Sequence, residues 1–306
     1  MGKIAFLFSG QGAQKVGMGK DLYERGKEGK RLFDIGEKIL QGVKKTCFEG
    51  DGNQLTKTEN AQPCLFLTDL ACAYELCAEK IFPSAVAGFS LGEIPALAFA
   101  KAISDEDGFE LAVMRGTEMG AISENDNGGM VAVVRLNSET VEKLCEKTGV
   151  YAVNYNCPGQ ISCAGNEPNL SEFCKEVKNA GGRAVRLRVS GAFHTPAYAA
   201  VSEKIRDFLQ QKEINAPSVP IYANLTGEPY GNGTAEIIET VSKQVCSKVL
   251  FEKTLRNIAA SGVDTFVEVG AGTTLSGFVE KTMPFARVFG VTDVKSLEET
   301  VKILRG

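Results

Sequence analysis

A serine between two glycines is the first feature of this sequence that could carry out chemistry. Gly88, Ser90 and Gly92 form the pattern G-x-S-x-G within the stretch VAGFSLGE. Between a strand and a helix, this pattern presents its serine as a nucleophile in a strained turn. The context fits, because residues 85–88 are typical of a short strand and residues 91–101 have helical composition. A serine that caps a helix in an ordinary turn is the alternative interpretation.

A nucleophilic serine needs a base, and the chain contains a single histidine, His194. It lies in the segment GAFHTP at residues 191–196, where a small domain is expected to end, and clefts form at such junctions. The unperturbed pKa of histidine is near neutrality, which suits a general base. No aspartate or glutamate stands out as the third member of a triad. A histidine with a structural role is the alternative.

A glycine-rich turn with a glutamine follows the first predicted strand, with the sequence SGQGAQ at residues 9–14. A dinucleotide-binding fingerprint would need glycine at the position of Lys15, so that interpretation fails. A flexible backbone and the amide of Gln11 suit an oxyanion hole. A tight strand-to-helix turn is the alternative.

An arginine interrupts an apolar stripe on a predicted helix. Arg115 shares this stripe with Leu111 and Ile122. Arginine in such a place can bind a substrate carboxylate through two parallel hydrogen bonds. An ion pair with Glu118, three residues further on, explains the same arginine equally well.

Composition and charge exclude several classes of function. The chain has 306 residues, of which 43% are hydrophobic and 24% charged, and its formal net charge is −4. This balance argues against bulk binding of nucleic acid, and no apolar run is long enough for a signal peptide core or a membrane span. Because nine cysteines include no CxxC pair and histidine occurs once, we expect free thiols in a cytoplasmic protein and no metal site.

Strand and helix signals alternate along the chain, which predicts an α/β fold with a parallel sheet covered on both faces. The polar, glycine-rich segment 124–129 indicates a boundary. After it, the predicted order β-α-β-β-α-β is that of a ferredoxin-like subdomain. We therefore expect a large catalytic subdomain formed by residues 1–123 and 190–306, with a small subdomain of residues 124–189 inserted into it.

Local signals predict where individual elements begin and end. Asn60 is expected to cap a helix that contains Pro63 and runs to about Lys80. Pro95 is expected to lie past the first turn of its helix and to disturb a hydrogen bond there. Strands are predicted at residues 3–8, 85–88, 130–135, 150–157, 160–164, 183–189, 219–224, 264–269 and 287–291.

Taken together, these segments resemble a known family: the malonyl-CoA:acyl carrier protein transacylases of type II fatty acid synthesis, with the related acyltransferase domains of polyketide synthases. The resemblance extends in order over essentially the whole chain. It includes FSGQGAQ at 8–14, AQP at 61–63, the elbow at Ser90, MRG at 114–116, NYNCPGQ at 154–160, GAFHTP at 191–196 and EVG at 268–270.

The resemblance implies an α/β-hydrolase-like core with an inserted ferredoxin-like subdomain, and a two-step transfer through an acyl-serine. It assigns Ser90 as the nucleophile that takes the malonyl group from malonyl-CoA, and His194 as the base. It places Gln11 and the backbone N–H of Leu91 in the oxyanion hole. It also implies that Arg115 holds the malonyl carboxylate. The acceptor is the phosphopantetheine thiol of an acyl carrier protein.

Further expectations also come from the resemblance. The family orients its histidine with a backbone carbonyl, and the matching position is Gln244, which would explain the missing triad aspartate. Asn156 is assigned to substrate binding. No cofactor is implied besides the two substrates, malonyl-CoA and the carrier protein. We expect a monomer that contacts neither nucleic acid nor membrane.

The chain departs from the family pattern at three positions. Phe89 stands where histidine usually precedes the serine, Ser9 replaces a proline, and Ala271 replaces another proline. None of the three removes a catalytic group. Phe89 makes the predicted pocket wall more apolar and leaves the fine acyl specificity open.

A carrier protein is generally acidic, so docking would need a local basic patch on this mildly acidic chain. Arg186 and Arg188 share one face of a predicted strand, and Lys175 and Lys178 lie in the preceding helix. We treat these four residues as a docking hypothesis, with a solvated charged face as the alternative.

The main competing function is a serine hydrolase of esterase or thioesterase type, which would use Ser90 and His194 with water as acceptor. Such an enzyme would normally show a triad carboxylate and would have no reason to keep a buried Arg115. The sequence leaves open whether the acceptor belongs to fatty acid or polyketide synthesis.

Overall fold

A computed structural model describes residues 2–25, 27–125 and 127–306, and it confirms the predicted α/β fold class. In this part of the chain, a sheet of five strands and a sheet of four strands are formed. The strands are β1 (Lys3–Phe8), β2 (Ala85–Gly88), β3 (Gly128–Val134), β4 (Tyr151–Cys157), β5 (Gln160–Asn166), β6 (Arg183–Arg186), β7 (Ile221–Tyr222), β8 (Val263–Val269) and β9 (Arg287–Val291).

Helices cover the large sheet and one side of the small sheet. They are α1 (Lys20–Arg25), α2 (Glu28–Ile39), α3 (Val43–Glu49), α4 (Gly52–Thr56), α5 (Thr58–Ala78), α6 (Glu93–Phe99), α7 (Asp105–Asn125), α8 (Ser138–Thr148), α9 (Glu167–Asn179), α10 (Ala199–Gln210), α11 (Thr234–Gln244), α12 (Phe251–Ala260), α13 (Thr274–Thr282) and α14 (Val294–Arg305). Within the described ranges, none of these helices combines the length and apolar character that crossing a bilayer takes.

The large sheet is parallel and has the order β7-β2-β1-β8-β9. Its central strand β1 is buried at every residue after Lys3, as expected of a strand covered on both faces. Because all these strands run in the same direction, their carboxyl ends meet at one edge. The glycine-rich turn after β1 and the serine turn after β2 are therefore neighbours, at the edge where open α/β sheets bind ligands.

The small sheet is antiparallel and has the order β4-β5-β3-β6, the strand order of a ferredoxin-like unit. Helices α8 and α9 cover it, and the apolar side chains between helices and sheet form a core of their own, which includes Val131, Val141, Ile161, Leu170 and Phe173. This separate core supports the division of the chain into residues 1–123 with 190–306 and residues 124–189, which we retain as a proposal.

Two local expectations about helix geometry were wrong. Helix α5 begins at Thr58 after Lys57, so Asn60 does not cap it but donates to the carbonyl of Gln54 at 2.9 Å. Pro63 lies inside α5, whose side chains are buried on nearly all sides, so packing outweighs the lost hydrogen bond.

The predicted position of Pro95 within its helix was also wrong. The helix after the serine turn begins only at Glu93, because Ser90–Gly92 form a 3₁₀ turn. Pro95 therefore lies in the first turn of α6, where a backbone N–H has no partner within the helix, and its ring costs no hydrogen bond. Two predicted strands are shorter than expected, since β6 ends at Arg186 and β7 consists of Ile221 and Tyr222.

Candidate active site

The turn after β2 holds Ser90 in a strained conformation. Ser90 has φ of 53°, in the left-handed region that non-glycine residues seldom adopt. Both flanking glycines are needed for close packing. A Cβ on Gly88 would lie 1.9 Å from the carbonyl carbon of Gly92, and a Cβ on Gly92 would lie 2.2 Å from the carbonyl oxygen of Phe8. The turn therefore has the geometry of a nucleophile elbow, which the spacing of the two glycines predicted.

A buried asparagine that the sequence reasoning missed holds this turn in place. The Asn224 side chain accepts a hydrogen bond from the backbone N–H of Ser90 at 2.7 Å and donates one to the carbonyl of Gly88 at 2.6 Å. Asn224 is fully buried and follows β7, which pairs with β2. It lies in no recognisable motif, so only the pairing of these two strands reveals its role.

Ser90 and His194 are in hydrogen-bond contact, although 104 positions separate them in the chain. The distance from Ser90 Oγ to His194 Nε2 is 2.7 Å, and His194 Nδ1 lies 3.0 Å from the main-chain oxygen of Gln244. Because a carbonyl only accepts, Nδ1 carries the proton and the lone pair of Nε2 faces Ser90. Gln244 is the last residue of α11, and its carbonyl also accepts a long hydrogen bond from the backbone N–H of Ser247 at 3.3 Å.

The environment of His194 keeps its imidazole neutral. Burial lowers the pKa of His194 to about 4, and the positive charge of Arg115 contributes in the same direction. The residue has φ of 63°, so both members of the Ser90–His194 pair have strained backbones. Such strain is found where the surrounding structure enforces a functional geometry.

Arg115 is buried beneath the same serine. Its guanidinium donates to Ser90 Oγ at 3.1 Å, to Gln62 Oε1 at 2.9 Å and to Gln244 Oε1 at 3.2 Å. Burial lowers the pKa of Arg115 to about 10, which leaves it charged at neutral pH. The alternative ion pair with Glu118 is wrong, because Glu118 binds Lys204 on α10 at 2.6 Å.

The glycine-rich turn after β1 lies beside this cluster. The side-chain amide of Gln11 donates to Thr58 Oγ1 at 3.1 Å, and Gln11 Oε1 accepts from Gln62 Nε2 at 3.3 Å. The Gln11 amide is thus committed to α5, and its main-chain N–H is the group left for an oxyanion. Leu91, the other expected contributor, directly follows Ser90 in the 3₁₀ turn, and its side chain is fully buried.

A cleft of about 470 Å³ opens between the two sheets and reaches the serine. Its lining includes Gln11, Phe89, Ser90 and His194 from the large subdomain and Asn154, Asn156, Gln160, Ser162 and Arg188 from the small one. Asn156 donates to Ser162 Oγ at 3.1 Å, while its side-chain oxygen is buried and has no hydrogen-bond partner among the residues that the structure describes. An orphaned acceptor in a cleft is a polar position that a ligand can fill.

The two nearby departures from the family pattern have local explanations. The Phe89 ring packs edge-on against Phe251 at 5.2 Å and lies 5.8 Å from Phe278, so this wall of the cleft is aromatic. Ser9, which stands in the place of a proline, donates to the buried carboxyl of Asp69 at 2.8 Å. That bond ties the glycine-rich turn to α5.

The fold and the serine–histidine pair together define a class of acyl-transferring enzymes, and a comparison of sequences agrees. A sequence model described as the acyl transferase domain matches residues 5–298, and the chain belongs to this family.

Three similar proteins of known function are malonyl transacylases. The malonyl CoA-acyl carrier protein transacylase of Bacillus subtilis is 36% identical, over 100% of this chain and 98% of that protein. The crystal structure of the malonyl CoA-acyl carrier protein transacylase from Clostridium perfringens is 38% identical, with a TM-score of 0.94 over 99% of this chain and 97% of that chain. A structure of a malonyl-transacylase in complex with its type II PKS acyl-carrier protein is 27% identical, with a TM-score of 0.93 over 98% of this chain and 99% of that chain.

Proposed function

We propose that this chain transfers a malonyl group from malonyl-CoA to the phosphopantetheine thiol of an acyl carrier protein, through a malonyl ester on Ser90. One observation carries the proposal: Ser90 Oγ is in contact with a neutral base, His194, and with a buried cation, Arg115, while Ser90 and His194 both line one cleft. The base can activate Ser90 for covalent catalysis. The cation can bind a carboxylate, which favours malonyl over an uncharged acyl group.

In the first half of the reaction, His194 Nε2 takes the proton of Ser90 Oγ as that oxygen attacks the thioester carbonyl carbon. The main-chain N–H groups of Gln11 and Leu91 stabilise the oxyanion of the tetrahedral intermediate. When the intermediate collapses, its C–S bond breaks, and the CoA thiolate takes the proton from His194. Malonyl-Ser90 and CoA thiol are the products.

In the second half, the carrier protein supplies the nucleophile. His194 takes the proton of the phosphopantetheine thiol, and the sulfur attacks the carbonyl carbon of malonyl-Ser90. The Ser90 oxygen leaves and recovers the proton from His194. The main-chain oxygen of Gln244 keeps the imidazole oriented in both halves and favours its protonated form between them.

Arg115 selects the acyl group by binding the far carboxylate of the malonyl unit. Its Nη2 group donates to Ser90 Oγ and to Gln244 Oε1, so a carboxylate two carbons from the reacting carbonyl can accept hydrogen bonds from it. Asn156, with its orphaned side-chain oxygen in the cleft, contributes to substrate binding. The reaction as written needs no cofactor besides the two substrates.

A serine hydrolase is less well supported than a transferase. The Nδ1 atom of His194 is bonded to the main-chain oxygen of Gln244, where a hydrolase triad would place a carboxylate. A hydrolase of neutral esters would also gain nothing from a buried guanidinium beside its nucleophile.

Two of the basic residues considered for carrier protein docking are already paired with carboxylates. Arg186 forms an ion pair with Glu167 at 2.7 Å, and Lys175 forms one with Glu172 at 3.1 Å. Arg188 instead lines the cleft and is exposed. We therefore assign docking of the carrier protein and its phosphate-bearing arm chiefly to Arg188. A cytoplasmic location and a monomeric state stay predictions.

Transfer assays test this proposal. The protein is incubated with malonyl-CoA and with either holo carrier protein or the same carrier without its phosphopantetheine arm. We expect malonyl transfer to the holo form only, and none with the Ser90→Ala variant. Release of free malonate at the same rate with and without the holo carrier would overturn the proposal in favour of a hydrolase.

A further inference from the structure

We propose that Glu93 is a positioning residue for malonyl selection: its buried carboxylate fixes the Gln244 amide and balances the charge of Arg115 without occupying the donors that bind substrate. The inference rests on the proposed function. Glu93 is the first residue of α6, directly after the serine turn, and it is buried.

Hydrogen bonds from three directions hold the Glu93 carboxylate. Tyr230 donates its hydroxyl to Oε1, and the backbone N–H of Asn224 donates to the same oxygen at 3.2 Å. Gln244 Nε2 donates to Oε2 at 2.8 Å. The carboxylate therefore joins the residue that anchors the serine turn to the residue that orients His194.

The chemistry of its neighbours fixes which way the Gln244 amide points. Arginine can only donate and an ionised carboxylate can only accept, so an amide between them must turn its oxygen to Arg115 and its nitrogen to Glu93. The observed contacts follow this rule, at 3.2 Å to Arg115 and 2.8 Å to Glu93. The same nitrogen donates to the main-chain oxygen of Ser90 at 2.6 Å. A neutral side chain at position 93 would remove the charged acceptor of this nitrogen and leave the Ser90 carbonyl as its remaining partner.

The indirect arrangement also leaves the guanidinium available. Arg115 donates hydrogen bonds to neutral groups, on Gln62, Ser90 and Gln244. The negative charge of Glu93 nevertheless stabilises the buried guanidinium electrostatically. A direct ion pair would occupy the N–H edge of the guanidinium that binds a carboxylate, whereas a countercharge on the far side of an amide does not.

The decisive variant is Glu93→Gln, and Glu93→Asp is assayed beside it. Burial raises the pKa of Glu93 to about 7, so the assays are run at about pH 8, where the carboxylate is ionised. The measured quantity is the ratio of Ser90 acylation rates with malonyl-CoA and acetyl-CoA. We expect Glu93→Gln to lower this ratio at least about tenfold, as loss of roughly 1.4 kcal/mol of carboxylate binding would. Glu93→Asp keeps the charge and should recover a large part of the ratio.

Glu75→Gln is the matched control, because Glu75 is also a buried glutamate that accepts backbone N–H groups, but on α5 from Glu28 and Gly29. It should leave the ratio unchanged even where it lowers the melting temperature. If Glu93→Gln slows both acyl donors equally, or if Glu93→Asp is as unselective as Glu93→Gln, the inference is wrong. Failure of malonyl-CoA to label the unsubstituted protein would overturn the proposed function itself.

Should Glu93→Gln fail to fold, Tyr230→Phe provides an independent test. It removes one donor to Glu93 and keeps the charge. A selectivity ratio within about threefold of the original is expected, because the contact with Gln244 and the countercharge both remain. A tenfold loss of selectivity in this variant would refute the role assigned to the charge.

Discussion

Replacement of Arg115 by alanine should abolish preference for malonyl-CoA while leaving the Ser90–His194 pair intact. Arg115 is the cation placed at the serine, and its guanidinium presents donors toward Ser90 Oγ and Gln244 Oε1. A bound malonyl carboxylate takes over such donors as charge-assisted hydrogen bonds. Each is worth about 1.5–3 kcal/mol.

The loss of two such bonds amounts to about 4 kcal/mol, which corresponds to roughly a thousandfold in kcat/KM for malonyl-CoA. Acetyl-CoA has no carboxylate to lose, so its slow reaction should change by less than about tenfold, through altered packing alone. Arg115→Lys keeps the charge but not the planar pair of donors and should fall between the two.

The assay is the rate of Ser90 acylation by each donor, followed by intact mass at several donor concentrations. The substitution also removes the countercharge of the buried Glu93 and can therefore destabilise the fold. The melting temperature of each variant is measured first, and acylation rates are compared at a temperature below it. If Arg115→Ala slows malonyl-CoA and acetyl-CoA by the same factor, then Arg115 supports the fold and does not recognise the acyl group.

Four further outcomes follow from the same geometry. Asn224→Ala should lower the free energy of unfolding by about 3 kcal/mol and slow acylation, because two backbone groups of the serine turn lose their partner. An unchanged free energy of unfolding, measured by chemical denaturation, would contradict that role. Because the pKa of His194 is lowered to about 4, inactivation by a neutral, serine-directed sulfonyl fluoride should decline only as the pH falls toward 4; a decline centred near the ordinary histidine value would refute the buried neutral base. Charge reversal at Arg188 should raise the KM for the carrier protein by about tenfold, with a smaller effect from reversal at Arg186, and equal effects would count against the assignment. Phe89→His should change transfer of long acyl groups more than transfer of malonyl, since the aromatic ring forms part of the cleft wall; steady-state rates with a series of acyl-CoA donors measure this, and equal changes for all donors would count against it.

Sequence patterns predicted the parts of the site that local geometry determines. The G-x-S-x-G turn needs both glycines within five residues, so the motif is visible as a short string. His194 could be found because the chain has no other histidine. The ferredoxin-like order emerged because each strand and helix of the small subdomain has its own clear periodicity, and only the ends of the strands differ from expectation.

The supporting residues could not be found in this way, because their partners are distant in the chain. Asn224 contacts the serine turn across more than 130 positions, and it follows a strand of only two residues. Glu93 directly follows the G-x-S-x-G motif, but its role depends on the fold, which brings Gln244 of α11 beside it. The sequence left Arg115 between two interpretations, and only tertiary contacts exclude the ion pair with Glu118, because they bring Arg115 to Ser90 and Glu118 to Lys204.

At the start of α5, by contrast, the local rules for helix ends gave a wrong prediction, because tertiary packing outweighs them. Asn60 is a good capping residue and Pro63 a poor helix interior, yet the helix begins before both. Nearly every side chain from Thr58 to Leu76 is buried, so the gain from packing exceeds the cost of one missing hydrogen bond.

The intact mass of the protein after brief exposure to malonyl-CoA, without carrier protein, tests the central claim most directly. We predict an increase by one malonyl group per chain, located on Ser90 by peptide mapping, absent in Ser90→Ala, and removed on addition of holo carrier protein with the malonyl group recovered on its thiol. An adduct that persists in Ser90→Ala, or one that decays to free malonate before the carrier is added, would contradict the account.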